Sequence, residues 1–138
     1  SLHTLFRSAA FVKTLLGARS VAHSGSVSGL YLVNEVYPRL GIAAELKAKS
    51  QLVVRERVGA VVARGDAEFG FQQVSELLPV PGIQLLGPLP PEIQRVTIFA
   101  AGVAVHASSP DAARVLIAFL ASPAAAAAIE QSGMAPMR

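Results

Sequence analysis

The segment with the clearest chemical reach is residues 24–29, Ser-Gly-Ser-Val-Ser-Gly. Ser24, Ser26 and Ser28 supply hydroxyl donors at alternate positions, and Gly25 and Gly29 let a ligand approach the backbone. The segment follows a short apolar run and precedes a helical pattern. Unpaired backbone N–H groups at a helix start, with the positive end of the helix dipole, form a site for an anion. The same residue types also serve as plain caps and loop formers. Two other anion or acyl chemistries are excluded. A phosphate-cradling loop needs a Gly-Lys pair that is absent here, and a nucleophile elbow needs Ser where Val27 stands.

Two further segments have the same character. Glu56-Arg57-Val58 opens a short helix after a strand, with backbone amides to offer and Arg55 or Arg57 able to pair with an anion. Gln72 and Gln73 stand side by side where a third strand ends. In open α/β sheets, ligands sit at the C-terminal ends of the strands. All three segments begin where a strand ends, so one edge can gather them.

Other chemistries lack their residues. His3, His23 and His106 lie far apart with no metal-ligand spacing, and cysteine is absent. His23 beside Ser24 suggests a hydrolase pair. The chain has only two aspartates, however, and Asp111 suits the first turn of a helix. No acid–base set assembles, so catalysis, metal and cofactor are not expected. The net charge of +3 comes from twelve basic residues scattered among nine acids, with no basic stripe and few aromatics, which argues against nucleic-acid binding. No apolar run reaches the roughly 20 residues that span a bilayer.

The elements that must position these groups follow from periodicity. Leu5, Phe6, Ala9, Val12, Leu15 and Leu16 recur at helical spacing up to Gly17. Residues 20–23, 51–54, 67–71 and 83–86 read as short strands, and residues 96–107 as a long apolar one. Leu30, Val33 and Val36 mark a helix that Pro38 should end or kink. Ser109-Pro110 and Ser122-Pro123 each place a capping hydroxyl before a proline at the first helical position, starting two tail helices. With 52 % apolar residues the chain can bury a core of Ala, Val, Leu and Ile. Alternating strands and helices predict an α/β fold with a mainly parallel sheet.

Residues 64–82, with residues 87–94 and the ending Ala118-Phe119-Leu120-Ala121-Ser122-Pro123, resemble bacterial ABC-transporter solute-binding proteins related to the molybdate-binding family. The resemblance implies a type 2 periplasmic-binding fold, two α/β lobes with the ligand in the cleft between them. Residues 1–91 would be the second lobe. Residues 92–138 would hold the return hinge strand and two C-terminal helices belonging to a first lobe whose opening strands lie upstream. In that family two helix starts and a hydroxyl grip an oxyanion. Matched positions fall near Ser28, at the amide of Val58, and at Gln73 in place of the usual Tyr.

The resulting expectation is a periplasmic solute-binding component of an ABC uptake transporter, not an enzyme. It would hold a small anionic solute, an oxyanion or small carboxylate, through Ser26, Ser28, Gly29, Val58, Gln72 and Gln73, with no cofactor. Its partners would be that solute, a membrane ABC permease and, through the bare faces of the incomplete lobe, another copy of itself. The alternative is the effector-binding domain of a transcriptional regulator with the same fold.

Overall fold

A computed structural model describes the backbone of residues 2–137 and the side chains of residues 8–137. The chain divides into two compact units, Ser1–Val96 and Thr97–Arg138. The first is a three-stranded parallel sheet between helices. Helix α1 (Leu2–Gly17) leads into β1 (Val21–Ser24). A helical stretch follows, made of α2 (Val27–Tyr31), a π-helical turn (Leu32–Val36) and α3 (Tyr37–Arg39). Next come α4 (Ala43–Lys47), β2 (Ser50–Val53), α5 (Val58–Ala63), β3 (Phe69–Phe71) and α6 (Val74–Leu77).

The strand order is β2-β1-β3. Central β1 is covered on both faces, which is why Val21-Ala22-His23-Ser24 has no polar–apolar alternation. On one face Val21 joins Leu15, Leu32, Val36, Tyr37, Ile42 and Leu46 in the larger core. On the other, Ala22 packs with Val53, Val58, Val61 and Ala67 under α5. Gly70 sits beneath α5, where a Cβ would come within 2.6 Å of Val58 Cγ1 and 2.7 Å of Val62 Cγ2. Glycine therefore lets helix and strand close up.

Pro38 does not end its helix. Proline lacks the N–H for an ordinary helical bond and its ring presses on the carbonyl four residues back. The wider π turn relieves that clash: the Tyr37 N–H donates to the Leu32 carbonyl, five residues back, and the helix runs on to Arg39. The first unit extends to Val96 because residues 89–95 strap back over the core. Ile93 is buried there, and its carbonyl accepts the Tyr31 hydroxyl at 3.0 Å. Arg95 lies 5.2 Å from the Tyr31 ring centroid and pairs with Glu35.

Two expected strands do not form. Residues 83–86 are irregular, between the positive-φ glycines Gly82 and Gly87. Residues 96–107 have no sheet neighbour among the described residues, and Ile98, Phe99 and Val105 are exposed. Apolar, β-branched sequence supplies strand propensity, but a strand exists only as part of a ladder. In the second unit α7 (Pro110–Leu120) and α8 (Pro123–Gln131) begin at the expected Ser-Pro pairs, but neither Ser109 nor Ser122 makes the expected side-chain cap, and the Ser122 hydroxyl donates back to the Phe119 carbonyl instead. No single helix among the described residues is long and apolar enough to cross a membrane.

Candidate functional site

Parallel pairing brings the strand ends together. Ser24 stands in register with Val53, and His23 with both Leu52 and Phe71. The loops after β1, β2 and β3 therefore leave the same edge of the sheet. The chain passes from β1 to β2 on one side, then crosses to β3 on the other, so the strand order reverses at β1. Such a reversal opens a crevice beyond the carboxyl ends of the strands.

The loop after β1 carries a ladder of hydroxyls. Ser24 Oγ lies 2.7 Å from Ser26 Oγ, which lies 3.1 Å from Ser28 Oγ. Ser24 is buried at the foot of the ladder and Ser26 is exposed. Neither Ser26 nor Ser28 caps α2 through its side chain, so the hydroxyls hold one another instead. Gly29 makes the turn possible. A Cβ there would stand 1.9 Å from the Ser24 carbonyl oxygen, so the helix can start this close to the strand only with glycine.

The loop after β3 separates the two glutamines. The Gln72 side-chain carbonyl accepts the backbone N–H of Val58 at 2.9 Å. The Val58 amide thus has a partner within the chain, where the sequence suggested an open donor. Gln73 takes the position before α6, and its side chain makes no capping bond. Val58 is fully buried, whereas Gln72 and Gln73 are partly exposed. The expected residues lie in the loops or first helical turns that follow the three strands, with a direct hydrogen bond joining Val58 to Gln72 and another joining Ser26 to Ser28.

Charge around this edge is asymmetric. Glu56 is held by Arg64 through two contacts, 2.6 and 2.9 Å, and Arg64 also binds Asp66 at 3.0 Å. These bonds keep the Glu56 carboxyl below its usual range and the Arg64 guanidinium protonated. Arg55 and Arg57, in the loop between β2 and α5, are exposed and make no ion pair among the described residues. An open groove of about 180 Å³ beside β2, lined by Gln51, Val54, Glu56 and Arg64 among others, includes none of Ser24, Ser26, Ser28, Gln72 and Gln73. Its size is below the roughly 300 Å³ at which small-molecule pockets begin.

His23 is buried, with Nδ1 3.2 Å from the Ser24 carbonyl oxygen rather than on its hydroxyl, so the suggested His–Ser pair does not form. No group of three or more metal-binding side chains occurs among the described residues. Ser24, outside the expected set, is the buried foot of the hydroxyl ladder. The signal was present, since a serine closing a buried strand needs a polar partner.

The family model for bacterial extracellular solute-binding proteins matches residues 9–135, and the chain belongs to that family. A curated relative from Pseudomonas sp, named aconitate isomerase, is 46 % identical over 128 residues. The match covers 93 % of this chain and 49 % of that protein, so the chain spans about half the length of the relative. No solved structure matches. The relative's name corrects one expectation: a chain this similar to an isomerase is not to be set aside as non-enzymatic. Among the described residues no group of His, Asp or Glu side chains assembles a metal site, and the chain covers 49 % of that relative.

Proposed function

We propose that this chain is the solute-gripping α/β lobe of a protein that binds aconitate, a small unsaturated tricarboxylate, and isomerises it. The observation that carries the reading is the set of neutral donors at one sheet edge: the linked hydroxyls of Ser24, Ser26 and Ser28 after β1, and the Gln72 carboxamide after the adjacent strand β3. A carboxylate accepts hydrogen bonds only, so it fits a wall of donors. Arg55 and Arg57 at the same edge offset the remaining negative charge and speed its capture. Isomerising an unsaturated acid requires its carboxylates to be held while charge shifts along the carbon skeleton. This lobe supplies holding and charge neutralisation, and the group that moves a proton would come from the facing lobe. Ser26, Ser28, Gly29, Gln72 and Gln73 form the proposed contact set, with Val58 acting through Gln72.

Membership of an extracellular solute-binding family supports a compatible second role, delivery of the bound acid from the periplasm to an ABC permease. The two roles separate in one experiment on the intact protein. Each purified isomer of aconitate is titrated by calorimetry and then followed by proton NMR. Binding with conversion supports the isomerase reading. Binding without conversion supports delivery alone. Neither binding nor conversion rejects both for this ligand.

A further inference from the structure

We propose that Gln72 determines ligand specificity by acting as a locked, donor-only carboxamide. The inference rests on the carboxylate-binding reading and names the group that enforces it. A free glutamine side chain can turn either end toward a ligand, so it accepts as readily as it donates. Here the choice is removed. The Val58 N–H donates to Gln72 Oε1 at 2.9 Å, which leaves the Nε2 end, with two N–H groups, as the end available to a ligand. Nε2 has no partner among the described residues.

The register says where those donors stand. His23 pairs with Phe71, so the next residues, Ser24 and Gln72, leave adjacent strand ends on either side of the crevice. Neighbouring strands run about 4.8 Å apart. Both residues belong to the α5 side of the sheet: Ala22 packs under α5, and so does Gly70, each two residues before. The Ser24–Ser26 hydroxyls and the Gln72 amide thus flank one space with donors. A carboxylate fits between them. A group carrying N–H or O–H donors at that point meets no acceptor from Gln72, and this end of the site rejects it. The backbone of Val58 is therefore a positioning group and Gln72 the contact.

The test replaces Gln72 by Glu in the intact protein. A carboxylate of nearly the same shape still accepts the Val58 N–H, but turns a pair of donors into an acceptor with negative charge. Binding is measured by calorimetry with trans-aconitate, succinate and inorganic phosphate, and folding by thermal melting. The expected result is a roughly ten- to hundredfold loss of affinity for whichever probe the wild type binds, with no fall in melting temperature. Gln72→Ala supplies the second measurement, with a similar loss expected. Unchanged affinity in Gln72→Glu overturns the proposal. Tighter binding in Gln72→Ala also overturns it, because Gln72 would then be a plug that the ligand displaces. If the wild type binds succinate or phosphate but not aconitate, the functional reading fails, and the Gln72 variants still decide the specificity claim on the bound probe. If it binds none of the three, both fall.

Discussion

Gly29→Ala puts the architecture of the β1 loop to a quantitative test. The added methyl would stand 1.9 Å from the Ser24 carbonyl oxygen and 2.7 Å from its carbon, both backbone atoms that no rotamer change can move. Ordinary contact for such a pair begins near 3.4 Å, so the start of α2 must retreat by about 1.5 Å. Overpacking of this kind costs typically 1–3 kcal/mol, and a backbone obstacle places it near the upper end, about 3 kcal/mol. For a unit the size of Ser1–Val96, each kcal/mol lowers the melting temperature by roughly 4–8 °C, so a fall of roughly 12–24 °C is expected. Far-UV circular dichroism during heating reads it. The control is Gly17→Ala, where nothing lies within 4 Å of the new Cβ and alanine favours the helix end. That variant should melt at or above the wild type. A Gly29→Ala protein that melts within about 4 °C of the wild type refutes the close-approach argument.

Tyr37 and the arginine pair give two further expectations. The Tyr37 hydroxyl is buried without a hydrogen-bond partner among the described residues, and burial pushes its pKa up from 10.0 to about 12. Tyr37→Phe should therefore stabilise by about 1 kcal/mol at neutral pH, seen as a raised denaturant midpoint. In the wild type the folded state keeps this proton after the unfolded chain has lost it. Stability is then constant below about pH 10 and falls by about 2–3 kcal/mol between pH 10 and 12, a fall that Tyr37→Phe should lack. Replacing Arg55 and Arg57 together by Ala should leave the melting temperature unchanged, because neither makes an ion pair among the described residues. It should slow association with a tricarboxylate in low salt and erase most of the salt dependence of that rate in stopped-flow mixing.

Much of the first unit could be read from residue order. A Ser-Val-Ala-His run at residues 20–23 pointed to the central strand, which lies one residue later at Val21–Ser24, and Ser-Pro pairs pointed to the starts of both tail helices, because these signals act over a few residues. Non-local pairing was less legible. Residues 96–107 have the composition of a strand, yet no neighbour completes a ladder, and composition alone does not specify a partner. Pro38 does not end the helix but does disturb it, since the chain passes through a π turn just before the proline and then runs on, with Val36, Tyr37 and Leu46 in the core. At the candidate site, the convergence of three loops on one edge followed from parallel topology. Which of two adjacent glutamines would take the Val58 amide did not. That choice depends on strand parity, and parity depends on a register set by pairing with β1.

The most direct test of the central claim is conversion of aconitate by the intact protein, followed by proton NMR from each pure isomer. The account predicts that both samples reach the same mixture at a rate proportional to protein concentration, and that Gln72→Glu slows the approach. Samples that keep their starting isomer indefinitely, with no binding by calorimetry, would contradict it.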